Sequence, residues 1–351
     1  MMRVGLVLEG GAMRGMYTAG VLDVFLEHGI RADCIVGVSA GALFGVNFLS
    51  GQKGRVIRYN KRFNSDKNYM GLRPLLREGN IVSTKYAYED VPRRLDPFDD
   101  AAYKKSGIPF YAVVTNLETG LPEYIKIDSV FAQMDALRAS GSMPFVSRPV
   151  IIDGKPYLDG GISDSIPFRF AESLGCEKRI VILTRDMEYR KKPMSPALIR
   201  LWFGKSPMAE KLLHRHALYH HAIEELKELE AAGKALVIRP SSPIQIGRME
   251  KNPDILQSVY DLGVDVDADT FVNAAKEHNA QIICCSALLT TTMGEMKNVV
   301  EKVAEAGLHD KVKIMIGGAP ITQSYCDSIG ADYYTSDAAS AADVALKICT
   351  E

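Results

Sequence analysis

Residues 33–41 read Asp33-Cys34-Ile35-Val36-Gly37-Val38-Ser39-Ala40-Gly41. The run from Asp33 to Val38 is short and apolar, as a buried strand requires. Gly37-Val38-Ser39-Ala40-Gly41 is a G-x-S-x-G turn, with a helix expected from Ala40 or Gly41 onward. Upstream, Arg3 to Leu8 predicts another strand, running into Glu9-Gly10-Gly11. Arg14 to His28 sets apolar Met16, Val21, Leu22, Val24 and Phe25 among polar Asp23 and Glu27 and stops at Gly29, which predicts a helix. Strand, helix, strand and helix in about 50 residues imply a parallel α/β sheet.

The pattern continues outward. Phe110 to Thr115 and Arg179 to Thr184 predict further central strands, and Pro207 to Ala232 a long helix followed by a strand at Ala235 to Arg239. Ile151 to Tyr157 predicts a hairpin, with Asp153-Gly154 as its turn. Beyond Gly263 the alternation restarts: helix at Phe271 to His278, strand at Gln281 to Ser286, helix at Met296 to Ala306, strand at Lys311 to Ile316, helix at Ser340 to Ile348.

Composition sets the limits. With 47% hydrophobic and 24% charged residues, the 351-residue chain is neither disordered nor fibrous. A net charge of −1 gives no global pull toward nucleic acid. No apolar run approaches the ~20 residues of a membrane span, and Val4 to Leu8 is too short for a signal peptide. Six cysteines without a C-x-x-C pair form no disulfide framework, so a reducing, cytoplasmic setting is expected. The small net charge hides a seam, however. Residues 264–351 hold six lysines, no arginine and 13 acidic residues, a net of −7, which leaves +6 for residues 1–263. A clean arginine cutoff after Arg248 suggests two segments of different origin, joined near Asp261-Leu262-Gly263.

The first segment carries the chemistry. A G-x-S-x-G turn between strand and helix lifts a serine hydroxyl out of the backbone, and Gly37 and Gly41 make room for it. Gly10-Gly11-Ala12-Met13-Arg14-Gly15 exposes backbone amides before a helix, a cradle for an anion. It nearly matches a dinucleotide loop, but that fold wants an acidic residue at the end of the second strand, where this chain has Gly37-Val38-Ser39. A base for Ser39 is less obvious. His214, His216, His220 and His221 cluster on the long helix, where a solvated face is a better reading than a metal site at His216 and His220. Asp159-Gly160-Gly161 offers a carboxylate beside paired glycines that allow close backbone approach.

Those motifs in that order, Gly10 to Gly15, Gly37 to Gly41 and Asp159-Gly160-Gly161, resemble the patatin-like phospholipases. Thr115 to Gly120 and Ser140 to Pro144 look like that family's strand and helix ends, and the likeness covers about residues 2–260. The resemblance implies a patatin-like parallel-sheet α/β sandwich over 1–260. It also implies a Ser–Asp dyad of Ser39 and Asp159, an oxyanion hole from the Gly10, Gly11 and Ala12 amides, and Arg14, Gly37, Gly41 and Gly160 in support. Ala12 stands where the family usually has a third glycine, and keeps its N–H. The implied reaction hydrolyses a lipid acyl ester through an acyl-enzyme and needs no cofactor. From Arg185 to His221 there are eight Arg or Lys against three acidic residues, with Leu201-Trp202-Phe203 in the middle. This suits a peripheral contact with anionic lipid. The rival reading packs Trp202 and Phe203 as a cap over the site.

Residues 261–351 resemble the cobalamin-binding domain of corrinoid methyltransferase proteins, an incomplete flavodoxin-like α/β segment. Ser286, Leu288 and Thr290, with Gly317-Gly318, match the parts that line the pocket for the cofactor's nucleotide tail. The first strand and the D-x-H-x-x-G loop supplying the lower cobalt ligand are absent. In a 2-1-3-4-5 order the missing strand lies between the second and third, so a strand from elsewhere, including a partner chain, would be needed to close the gap. Val259 to Gly263 is claimed twice: as a helix by the lipase resemblance, as the second strand by the corrinoid one. The leading expectation is a serine hydrolase with a catalytically silent C-terminal segment. The alternatives are a corrinoid-binding protein associated with methyl transfer and a lipid-binding protein without turnover.

Overall fold

The computed structural model describes residues 3–264, 280–287, 293–318 and 320–350. The chain divides into two compact units, Met1–Val264 and Asp265–Glu351.

The first unit is built on strands β1 (Val4–Leu8), β2 (Cys34–Val38), β3 (Phe110–Asn116), β4 (Pro122–Lys126), β5 (Val150–Ile152), β6 (Lys155–Asp159), β7 (Lys178–Ile182) and β8 (Ala235–Ile238). They form one sheet in the order β5-β6-β3-β2-β1-β7-β8, with β4 paired to β3. The five strands β3, β2, β1, β7 and β8 are parallel. Antiparallel β4 and the β5–β6 hairpin complete the side beyond β3. The α/β sandwich is therefore mixed rather than wholly parallel.

Strand periodicity sends alternate side chains to two buried faces, which is why the central strands read as continuous apolar runs. Leu6, Leu8, Ile35, Phe110 and Ile182 pack into one core with helices α1 (Gly15–Glu27), α2 (Ala40–Leu49) and α3 (Arg55–Phe63). Val7, Val36, Val38, Val113 and Val181 pack into another, under the helices Phe168–Ser173 and Pro207–Ala231. This sandwich fixes the carboxyl ends of β1 and β2 side by side, where parallel sheets place their ligands.

The doubly claimed segment is settled as helix, spanning Pro253–Val264. A Cβ on Gly263 would lie 2.0 Å from the Tyr17 carbonyl oxygen, and one on Gly20 would lie 2.2 Å from that of Tyr260. Glycines at the crossing let the helix lie backbone to backbone on α1. Tyr260 Oη donates to Asp23 Oδ2 at 2.7 Å and ties the two. The first unit ends at Val264, and the corrinoid reading of Val259 to Gly263 as a strand does not hold.

In the second unit, β9 (Ile282–Ser286), β10 (Lys313–Gly317) and β11 (Tyr333–Thr335) are parallel in the order β11-β10-β9. Ile283, Cys285, Val299, Val303, Ile314 and Ile316 share a small core with the helix Met293–Glu305. Among the described residues β9 pairs with β10 alone. The helix expected at 271–278, Leu288 and Thr290 lie outside the described residues.

Candidate active site

Ser39 sits between β2 and α2 with φ 54° and ψ −121°, a left-handed conformation rare for a residue with a side chain. Strain of this kind costs about 1–3 kcal/mol and persists where its surroundings enforce it. Here two glycines do so. A Cβ on Gly41 would lie 2.4 Å from the Leu8 carbonyl oxygen, and one on Gly37 would lie 2.7 Å from Gly41 O and Ala42 Cα. The turn is also bonded from outside, because Ser39 N donates to Ser140 Oγ at 2.9 Å, from the end of the helix Met134–Ser140.

Asp159 ends β6 and is buried. Ser39 Oγ donates to Asp159 Oδ2 at 2.7 Å, and Gly161 N donates to Oδ1 at 2.8 Å. The backbone around it is held equally firmly. Asp159 N donates to Ser142 O at 2.9 Å, and Thr115 Oγ1 donates to Asp159 O at 2.8 Å. Gly160 allows this approach, since a Cβ there would fall 2.2 Å from Val113 O. Burial raises the Asp159 pKa above its ordinary value, opposed by the Ser39 hydroxyl, the Arg215 charge, the Gly161 amide and the Lys191 charge. Charge is disfavoured by desolvation and recovered by partners, which suits a carboxylate that must take up and return a proton.

The Gly10-Gly11-Ala12 loop leaves β1 directly beside this pair. A Cβ on Gly10 would lie 2.8 Å from Ser39 Cβ. Ala12 has φ 50°, so the position for which the resemblance leads one to expect glycine does adopt a glycine-like backbone. Among the described residues no hydrogen bond is made by the Gly10, Gly11 or Ala12 amides. Arg14 lies on the same loop with its Nε buried and unpartnered.

A cavity of about 140 Å³ opens from Ser39. Ala12, Met13, Leu43, Phe44, Tyr59 and Leu137 give it an apolar wall. Trp202 and Phe203 do not line it; they pack edge-to-face on Phe145 at 5.8 and 5.4 Å, and Trp202 stays 58% exposed, beside Leu201 at 80%. Neither is a cap over the cavity.

The histidines do not converge on Ser39 in any hydrogen bond. His220 Nε2 accepts from Lys191 N at 2.9 Å, so that imidazole is partnered rather than solvated. Among the described residues there is no group of three or more metal-ligating side chains. Sequence reasoning missed Ser140 as the clamp on Ser39 N and missed Arg215, whose Nε donates to Gly161 O at 2.5 Å. Only the run of basic residues at 185–215 hinted at the latter.

In the second unit, Ser286 ends β9, Gly317 ends β10 and Gly318 follows it, so they share the carboxyl edge. Gly318 has φ 117°, and a Cβ there would lie 2.0 Å from Ala287 O, so the two loops abut. His309 precedes β10 and lies at the opposite, amino end of the strands. The described residues of this unit thus offer no imidazole at that edge, and do not fit a cobalamin ligated from below by the protein.

Comparison with known proteins finds matches in both parts of the chain. Residues 6–172 match the patatin-like phospholipase family, residues 254–346 the B12 binding domain, and residues 205–278 a domain of unknown function, DUF6363. The last two matches overlap on the helix claimed twice. The chain is 28% identical over 268 residues to the uncharacterised protein YjjU of Escherichia coli, covering 74% of this chain and 75% of that one. It is 49% identical over 90 residues to dimethylamine corrinoid protein 3 of Methanosarcina mazei, covering 26% of this chain and 54% of that protein. Trimethylamine corrinoid protein 1 of Methanosarcina acetivorans is 52% identical over 90 residues, of which the match covers 40%. The chain thus spans about half or less of these corrinoid proteins. The structure of VipD from Legionella pneumophila aligns with 94% of this chain and 80% of its own at 13% identity and a TM-score of 0.35. Among the described residues no helix is long and apolar enough to cross a membrane.

Proposed function

We propose that this chain, a patatin-like phospholipase domain joined to a B12-binding-type segment, is a serine lipid acyl hydrolase. The observation that carries the reading is the 2.7 Å bond from Ser39 Oγ to the buried Asp159 carboxylate. Ser39 Oγ attacks the ester carbonyl while Asp159 takes its proton. The oxyanion of the tetrahedral intermediate is met by the Gly10–Ala12 amides, which hold no other partner. Donors already in place cost no reorganisation as charge develops. Collapse expels the alcohol, which leaves with the proton from Asp159, and the acyl group stays on Ser39. A water then gives its proton to Asp159 and attacks the acyl-enzyme, releasing the fatty acid and restoring the serine. The apolar cavity takes the acyl chain. Exposed Leu198, Leu201 and Trp202 favour contact with a lipid surface.

The second unit takes no part in this chemistry. The test is hydrolysis of a short p-nitrophenyl ester and of a monoacyl lipid by the parent chain and by Ser39→Ala. Parent activity that disappears in the folded variant supports the reading. Turnover that survives in Ser39→Ala sinks it, and binding of liposomes by both proteins without turnover would make this a lipid-binding protein.

A further inference from the structure

Behind the Ser39–Asp159 pair, five cations come together from four different segments. Arg14 leaves the β1 loop, Arg185 and Lys191 follow β7, Arg215 projects from the helix Pro207–Ala231, and Arg248 precedes the helix Pro253–Val264. Among the described residues none of the five is in an ion pair. Their partners are neutral. Arg215 Nε donates to the Gly161 carbonyl, Lys191 Nζ donates to Ser165 Oγ at 3.3 Å and lies 3.9 Å from the Tyr219 ring, and Arg185 stacks 4.0 Å from Tyr189. The buried Arg14 Nε has no partner at all. Arg248 lines the cavity that holds Ser39.

The carboxylates that act on Arg14, Lys191 and Arg215 most strongly are Glu9 and Asp159. Glu9 is already occupied, accepting from Thr184 N at 2.6 Å and Thr184 Oγ1 at 3.1 Å. Positive charge is left in excess beside the nucleophile. Burial, and after it the nearness of other cations, pulls the Arg14, Lys191 and Arg215 pKa values down. Arg14, Arg185, Lys191 and Arg215 are partly buried and Arg248 is exposed at the cavity. Unpaired charge withdrawn from water is costly, and a fold that keeps it at a reactive centre is shaped for an anion that arrives with the ligand. Holding Asp159 ionised accounts for two of the five, since Arg215 and Lys191 are the cations that lower its pKa most.

We propose that this cluster is a subsite for a phosphate group borne by the alcohol side of the ester, so that the substrate is an anionic phosphate-bearing acyl ester without a cationic cap. The proposal rests on the hydrolase reading above. A choline-capped headgroup would bring a sixth cation into the cluster, while a bare phosphate supplies the missing negative charge.

The test compares kcat/KM for three monoacyl lipids of one chain length, below their micellar concentrations: acylglycerol, acylglycerol phosphate and acylglycerophosphocholine. The parent chain should prefer the phosphate over the other two by about tenfold or more, the usual scale of a charge-assisted contact. Raising the salt should narrow the gap. In the Arg185→Gln/Arg248→Gln double variant the ratio of phosphate to neutral lipid should fall at least about fivefold, mainly through KM. Inorganic phosphate should inhibit the phosphate lipid competitively, and less so in the variant, which separates headgroup recognition from a site for free phosphate alone. Equal rates on all three lipids, or a preference that the double variant retains, overturns the proposal. Cleavage of the p-nitrophenyl ester marks the difference between failures: with it intact only the phosphate subsite is lost, and without it the hydrolase reading falls as well.

Discussion

Replacing Asp159 by Asn changes one buried atom and separates the chemistry from the scaffold. The amide oxygen can still accept from Gly161 N, now 2.8 Å from Oδ1, so the loop keeps its anchor. The side chain can no longer accept a proton from Ser39 Oγ, now 2.7 Å from Oδ2. General-base catalysis contributes about 10²–10⁴-fold, so kcat/KM on a short p-nitrophenyl ester should fall at least a hundredfold, ~2.7 kcal/mol of transition-state stabilisation. Stability should move the other way or not at all. Burial raises the Asp159 pKa, and a carboxyl raised in this way stabilises the native state fully below its unfolded pKa and loses that contribution as pH rises through the folded value. At neutral pH the wild-type carboxylate therefore costs stability, which the neutral amide recovers while losing the bond from Ser39. The melting temperature at neutral pH should match or exceed that of the parent. A variant that keeps activity within tenfold of the parent would refute Asp159 as the base. One that melts far lower would refute the claim that its charge is a burden.

Three other outcomes follow from the same geometry. Asp159 must be ionised to accept the Ser39 proton, so kcat/KM should rise with pH through a value above the ordinary 3.8 and then level off; an acid limb at or below 3.8 contradicts the burial argument. Gly263→Val places a side chain where Tyr17 O already lies, and overpacking of this kind costs about 1–3 kcal/mol. At ~2–4 °C per kcal/mol for a unit of this size the melting temperature should drop measurably, and an unchanged value would mean that residues 253–264 do not lie on α1. Titration of the full chain with cobalamin should give no spectrum of a histidine-ligated corrinoid, because none of its seven histidines sits in a D-x-H-x-x-G pattern; such a spectrum would show that another imidazole reaches the cobalt.

The parts of this protein legible in its sequence are those where backbone must approach backbone. Gly10, Gly37, Gly41 and Gly160 mark places where any side chain would collide, so their spacing encodes the turn at Ser39 and the seat of Asp159 before any coordinates are consulted. Strands β1 and β2 were readable because burial on both faces leaves them apolar, and β7 through its Ile180-Val181-Ile182 end. The antiparallel β4 was not anticipated, since Pro122–Lys126 is half exposed and mixed in character. Ser140 and Arg215 stayed hidden for another reason. They reach Ser39 N and Gly161 O across 101 and 54 residues of chain, and nothing in their local sequence fixes that contact. Val259 to Gly263 was ambiguous because one resemblance claimed it as helix and the other as strand, and the close approach of Gly263 to the α1 backbone shows it as helix.

The most direct test of the account is labelling of the folded chain with a fluorophosphonate, located by peptide mass mapping, alongside Asp159→Asn. The account predicts a single adduct on Ser39 in the parent and a labelling rate reduced at least about a hundredfold in the variant. Folded protein with Ser39 unmodified, or Ser39 labelled equally fast in both, would contradict a nucleophile activated by Asp159.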